Sequence, residues 1–320
     1  MIGWAALGLG AAGLATLLRA RAHDGRATRD FPPEGQILEI DGVPVHALQM
    51  GQGPDLVFIH GASGNIRDVT HSLMPRLATR YRVTALDRPG LGHTGRLPGH
   101  GGLFDPAAES PAEQARLLQD AAARLGVQRP VVIGQSYGGA VALAWALGRP
   151  DTIAGLVSLA GVAMPWPGKL GLRTRIIGTR AGGALLPPVL AAWLPDRVVA
   201  RAIEDIFAPQ APPPGYMDHI GAPLTLRAAA FRANGRQVNS LRPHVVAMAP
   251  HYPALRLPIE IVHGDADTTV PLEIHSEPLS RLVPGARLTV LPGIGHMPHH
   301  AAPEAVEAAI DRAVTRAGLH

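Results

Sequence analysis

Apolar residues in this chain gather into short, nearly unbroken runs, separated by stretches in which they recur every three or four positions. The runs predict strands at Ile37 to Ile40, Val43 to Gln49, Asp55 to Ile59, Arg82 to Leu86, Val131 to Ile133, Gly155 to Leu159, Ile259 to Val262 and Leu288 to Leu291. Asp41-Gly42 between the first two is a hairpin signal. Helical stretches lie between the later runs. The clearest is Pro111 to Leu125, which opens on the capping box Ser110-Pro111-Ala112-Glu113 and stops at Gly126. Buried strands alternating with helices imply an α/β fold with a mostly parallel central sheet and helices on both faces.

The alternation covers residues 36–161 and 257–320 and breaks over 162–256. That stretch holds Pro165, Pro167, Pro187-Pro188 and Pro212-Pro213-Pro214, with amphipathic pieces at Asp196 to Phe207 and Thr225 to Asn234. It contains no run of strands, so an inserted helical lid over the strand ends is expected, where it would shape a substrate pocket. Residues 23–35, with Pro32-Pro33, read as a linker.

Residues 1–22 form an apolar N-terminal segment. No charge occurs from Ile2 to Leu18, and Arg19, Arg21 and Arg26 follow. This is the short limit for crossing a bilayer. The basic flank favours membrane association through residues 2–18 as a retained anchor, arginines on the cytoplasmic side. The alternatives are a signal peptide cleaved at Ala20-Arg21-Ala22 before export, and a helix docked on the domain of a cytoplasmic protein. Gly8-Leu9-Gly10-Ala11-Ala12-Gly13 matches a dinucleotide fingerprint, with Asp30 beyond it. Too few residues precede Gly8 for a strand, and a polar stretch follows Arg19, so small residues in an apolar helix are expected instead.

At 320 residues and 47% apolar content, the chain can bury a substantial core. The formal charge is +4, but Lys169 is the only lysine and the arginines are scattered, so no nucleic-acid face is expected. The absence of cysteine excludes disulfides, thiolate metal sites and a cysteine nucleophile. Fifteen histidines raise the question of a metal. There is no His-Glu-x-x-His, and His299-His300, as sequence neighbours, are expected to project in different directions, so neither metal nor cofactor is assigned.

The chemistry concentrates at Gly134-Gln135-Ser136-Tyr137-Gly138-Gly139, between the run Pro130 to Ile133 and the apolar stretch Ala140 to Trp145. With 37 glycines in the chain, G-x-S-x-G would arise by chance roughly 0.1 times. Its placement at a strand-to-helix junction makes it a nucleophile elbow, with Ser136 as nucleophile. Such a serine requires a base, an orienting carboxylate and an oxyanion hole. His296, in the glycine-flanked loop Pro292 to Pro298 after the last strand, is the candidate base. Asp267, in His263-Gly264-Asp265-Ala266-Asp267, is the candidate acid; its neighbour Asp265 is assigned to turn formation. The backbone N–H groups of Tyr137 and Ala62, the latter in His60-Gly61-Ala62-Ser63-Gly64, are the candidate oxyanion hole. His60 is expected to brace that loop by hydrogen bonds, and Ser63 to shape it.

These segments, together with Asp87-Arg88-Pro89-Gly90-Leu91-Gly92-His93-Thr94, resemble the α/β-hydrolase superfamily, in its order of nucleophile, acid and histidine. The likeness runs from Gln36 to the C-terminus. The branch it points to holds lid-bearing esterases, carbon–carbon bond hydrolases, epoxide hydrolases, haloalkane dehalogenases and cofactor-free haloperoxidases. The resemblance implies that dehalogenases and epoxide hydrolases of this branch carry aspartate where this chain has Ser136. The expectation is therefore a serine hydrolase acting on a small, largely apolar ester or related carbonyl compound. The alternatives are peracid formation on the same triad, acyl transfer to another acceptor, and a non-catalytic binding protein. Trp166, Tyr216, His219 and Tyr252 of the lid are left without a role.

Overall fold

The computed structural model describes residues 2–319. Its sheet has eight strands in the order β1-β2-β4-β3-β5-β6-β7-β8: β1 (Gln36–Ile40), β2 (Val43–Met50), β3 (Asp55–Ile59), β4 (Arg82–Leu86), β5 (Val131–Gln135), β6 (Gly155–Leu159), β7 (Ile259–Gly264) and β8 (Arg287–Leu291). The hairpin β1–β2 and the pair β2–β4 are antiparallel, and every pairing from β4 to β8 is parallel. Each expected strand is present, and most boundaries agree within a residue or two.

The helices fall where the parallel strands need crossovers. Helices α2 (Arg67–Thr70) and α3 (Leu73–Leu77) join β3 to β4, α4 (Pro111–Arg124) joins β4 to β5, and α5 (Tyr137–Gly148) joins β5 to β6. Between β6 and β7 the chain is helical: α6 (Leu172–Gly178), α7 (Arg180–Trp193), α8 (Asp196–Phe207), α9 (Tyr216–His219), α10 (Ala222–Leu226) and α11 (Ala228–Met248). Then come α12 (Ser276–Leu282), α13 (Pro298–Ala301) and α14 (Pro303–Arg316). The Ser110 capping box is formed in full at the start of α4.

Strand pleating sorts the core into two layers. Val57, Ile59 and Val132 pack with Leu118, Val141 and Trp145 on one face. The intervening Leu56, Phe58, Val131 and Ile133 pack with Leu73, Leu77, Val306 and Ile310 on the other. Because the central strands are buried on both faces, their sequences are continuous apolar runs, as parallel sheets require. Helix α5 is buried from Tyr137 to Ala146, so it is apolar all round rather than amphipathic.

The N-terminal expectation is corrected. Among the described residues no helix is long and apolar enough to cross a membrane, which overturns the membrane anchor and the localisation drawn from it. One helix, α1 (Ile2–Asp30), also replaces the linker expected from residue 23. Its second half is charged and docks on the inserted helices. Arg19 Nε donates to the Ala192 carbonyl at 2.5 Å and its guanidinium lies 4.5 Å from the Trp193 ring centroid. Trp193 Nε1 donates to Thr16 Oγ1 at 3.1 Å, and Ala20 is buried with Ala191 and Ala192. Asp24 accepts the Ala228 N–H at 3.2 Å, placing a carboxylate at the N-terminus of α11 where the helix dipole favours it. The fingerprint-like glycines lie inside α1, with no strand before them among the described residues.

A second correction concerns the inserted segment. The piece read as Thr225 to Asn234 is split by a break at Arg227, and the long helix that follows continues through Pro243 to Met248.

Replacing Ala20 with glutamate forces a carboxylate between two packed alanines, which is unfavourable without a partner. In Ala20→Glu, trypsin cleavage at Arg21, Arg26 and Arg29 should accelerate by about tenfold or more as α1 detaches, while the main thermal transition keeps its midpoint. Unchanged cleavage in limited proteolysis would mean that α1 is not held by this contact.

Candidate active site

The parallel strands β3, β5, β7 and β8 all end at one edge of the sheet, and each end carries at least one expected site residue. Pairing of Ile59 with Gly134 sets the loop after β3 beside the loop after β5. At the end of β5 the chain passes from strand to helix through one residue, Ser136, with φ 53° and ψ −120°. A non-glycine residue in that region is strained and persists only when its surroundings impose it. The flanking glycines are the imposition. A Cβ at 134 would collide with the Gly138 carbonyl, and one at 138 with the Ile59 carbonyl. The Ser136 N–H donates to the Leu159 carbonyl at 3.0 Å, and its carbonyl accepts the Val162 N–H at 2.9 Å.

Ser136, His296 and Asp267 meet. The Ser136 hydroxyl lies 2.9 Å from His296 Nε2, and His296 Nδ1 lies 2.7 Å from Asp267 Oδ2. All three are buried. The network assigns the tautomer: Nδ1–H donates to the carboxylate, which leaves Nε2 to accept from the serine. Asp267 Oδ1 is occupied by the N–H groups of Thr269 and Val270 at 2.8 and 2.9 Å. Burial pushes the Asp267 carboxyl up, but hydrogen bonds from His263 and His296 outweigh it and hold the group well below the usual carboxylate range. Asp265 accepts the Gly293 N–H at 2.6 Å, tying the loop after β7 to the loop after β8.

The loop after β3 is held by groups from several elements. His60 Nδ1–H donates to the Gly61 carbonyl at 2.8 Å, and Nε2 accepts the Arg88 N–H at 2.9 Å. Burial first, then the Arg88 cation, lower the His60 pKa to about 4, so the ring is neutral at neutral pH. Ser63 takes φ 57°. Its N–H donates to Asn234 Oδ1 at 2.7 Å, and Asn234 Nδ2 donates to its hydroxyl oxygen at 2.9 Å. Ala62 is exposed in this turn, and its N–H has no backbone acceptor among the described residues. Tyr137 opens α5, where the first N–H groups have no partner inside the helix.

Arg88 is the largest buried cation of the site. Its guanidinium donates to the Gly61 carbonyl at 2.9 Å, Gln114 Oε1 at 3.0 Å and Gln237 Oε1 at 2.8 Å, and stacks 3.8 Å from the Tyr137 ring centroid. Burial lowers its pKa to about 10, which leaves it charged. Gln237 Nε2 donates in turn to Glu109 at 3.0 Å, and Glu109 accepts from Arg96 at 2.5 Å. Asn234 and Gln237, three apart on α11, share one helix face.

Four contributors were therefore not assigned from the sequence: His263, Arg88, Asn234 and Gln237. His263 donates through Nε2 to Asp267 at 3.1 Å and to the Val270 carbonyl at 2.7 Å, while Nδ1 accepts from Ser276 at 2.6 Å. Its place four residues before Asp267 was the available signal; the pair on α11 left none. Tyr216 and His219 turn out to bond Asp68 and Thr70. The view that His299 and His300 project apart is corrected: both Nε2 atoms lie 3.0 Å from Asp68, on separate oxygens of its carboxylate.

A family model described as alpha/beta hydrolase fold matches residues 54–303. An uncharacterized protein of Mycobacterium tuberculosis is 29% identical over 287 residues, covering 88% of this chain and 81% of its own length. Haloalkane dehalogenase 2 of the same species is 26% identical over 296 residues, covering 88% and 97%. Among solved structures, a thermophilic esterase from Thermogutta terrifontis superposes with a TM-score of 0.69 at 22% identity, covering 88% of this chain and 99% of its own.

The buried neutral histidines make stability depend on pH. His60 and His275 are both lowered by burial to about 4 from 6.5. The unfolded chain binds these protons first, so stability is lost as pH falls from about 6.5 to 4. Urea unfolding across that window should show the loss, and His60→Gln should flatten part of it. An unaltered slope in the variant would refute a buried neutral His60.

Proposed function

The chain belongs to the alpha/beta hydrolase fold family, and within it we propose a serine hydrolase that cleaves an ester or related carbonyl bond of a small, largely apolar substrate. The observation that carries this is the unbroken chain Ser136 Oγ to His296 Nε2 at 2.9 Å and His296 Nδ1 to Asp267 at 2.7 Å. The Thermogutta terrifontis neighbour, which shares the fold, is an esterase. The dehalogenase relative does not weigh against it, because Ser136 stands at the elbow of this chain.

In this reading the Ser136 oxygen attacks the substrate carbonyl while its proton passes to His296 Nε2. Asp267, kept ionised by its four donors, steadies the resulting imidazolium. The N–H groups of Ala62 and Tyr137 receive the negative oxygen. Collapse expels the alcohol, which takes the proton from His296. Water then attacks the acyl-serine by the same route and releases the acid. Helices α6–α11 form the lid and bound the substrate space.

Arg88, Asn234 and Gln237 act as positioning residues. Arg88 grips the carbonyl of Gly61, next to Ala62, and stacks on Tyr137, so one cation orients both oxyanion donors. Asn234 holds the strained Ser63 on the other side of Ala62.

A fluorophosphonate probe should label wild type and not Ser136→Ala, and p-nitrophenyl esters of increasing acyl length should show at least a 10⁴-fold loss in kcat/KM for that variant. Absence of labelling in folded wild type would overturn the acyl-serine reading. Asn234→Ala should lower kcat about 10- to 100-fold with KM nearly unchanged, since an oxyanion donor acts on the transition state. A change confined to KM would instead make Asn234 a substrate contact.

A further inference from the structure

We propose that Asp68, His299 and His300 form a binding site for one divalent first-row transition ion of the zinc class. The cluster lies outside the Ser136 chain and is independent of its chemistry. Asp68 follows the loop after β3, and the two histidines open α13 just beyond His296.

Three ligand atoms face one another. His299 Nε2 is 3.0 Å from Asp68 Oδ2 and His300 Nε2 is 3.0 Å from Asp68 Oδ1, and all three donors lie within 4.8 Å of one another. An ion bonded at about 2.0–2.2 Å to two imidazoles and a carboxylate spaces its donors by about 3 Å or slightly more. The two 3.0 Å separations therefore need only a small expansion to hold one.

Charge points the same way. Asp68 is buried, and among the described residues its carboxylate meets Tyr216, His299 and His300 but no arginine or lysine. A buried carboxylate needs a cation or a full set of donors. Two imidazoles and a carboxylate suit zinc and its first-row neighbours and do not suit calcium or magnesium. Tyr216 donates to Asp68 Oδ1 at 2.8 Å. This bond orients the ligating carboxylate, as outer partners do at metal sites. The Nδ1 atoms of both histidines are buried without a protein partner. Without an ion each ring proton sits on Nε2 and is donated to Asp68; an ion takes the Nε2 lone pair as that proton shifts to Nδ1. The ion would brace three segments: the one following the oxyanion loop, the one following His296, and α9 through Tyr216.

The test uses full-length protein stripped with a chelator and titrated with zinc chloride against a competing chelator dye. Wild type and Ser136→Ala should each bind one equivalent and gain about 5 °C or more in Tm at a hundredfold excess over Kd. His299→Gln/His300→Gln should lose both. Should that variant not fold, cobalt(II) added to wild type must give visible d–d bands that saturate at one equivalent. Zinc uptake equal in wild type and variant, no Tm gain, or no cobalt bands would overturn the site and leave a histidine–aspartate hydrogen-bond network.

Discussion

The structure depends on one constraint: a buried parallel strand must become a buried helix across a single residue. Ser136 takes the strain, and the closeness of the surrounding backbone keeps it there. The carbonyls of Ile59 and Gly138 occupy the space that side chains at 138 and 134 would fill. Relief would require β3, β5 and α5 to part; the two strands lie at the middle of both core layers and α5 in one of them. The strain at one backbone position is thus held by the burial of many apolar side chains, each contributing about 1.5–3 kcal/mol. It also turns the Ser136 hydroxyl off the strand towards the loops at the sheet edge.

Around that fixed point, buried polar groups settle the geometry of the rest. Asp87 is fully buried and accepts His46 Nδ1 at 2.6 Å and the N–H groups of Ile66 and His93 at 2.8 Å each. Its neighbour Arg88 reaches the other way, to Gly61 and Gln237. The two consecutive residues at the end of β4 therefore anchor both sides of the loop after β3. Burying these groups is tolerable because they bond one another. A group that lost its partner would carry the whole desolvation cost, which makes the arrangement rigid.

Much of this was legible because it is local. Strand runs, the Ser110 capping box, the elbow and the histidine loop each occupy a few consecutive residues, and their spacing follows from backbone geometry. Ser136, His296 and Asp267, each marked by such a segment, are brought together. Contacts across long sequence separations left no such trace. Nothing near Asn234 announces that its amide holds Ser63. The N-terminal segment misled for a related reason: its apolar first half dominated the reading, while the docking of Arg19, Ala20 and Asp24 depends on partners near residues 192 and 228. His299 and His300 were misjudged because Asp68, more than 230 positions away, offers a separate oxygen to each.

Those same long-range contacts change what the inserted segment is. A lid that only covered a pocket could move without altering the groups beneath it. Here α11 carries Asn234 and Gln237 on one face, and both reach the loop that holds Ala62, one directly and one through Arg88. Displacing α11 would release Ser63 from its left-handed conformation and free the Arg88 guanidinium that stacks on Tyr137. Since Asp24 of α1 binds the first turn of α11, the N-terminal helix belongs to the same assembly. Under the proposed acyl-serine reading, substrate selection and oxyanion geometry are therefore coupled mechanically: a substrate that shifts α11 to enter would have to restore those contacts before its carbonyl is held.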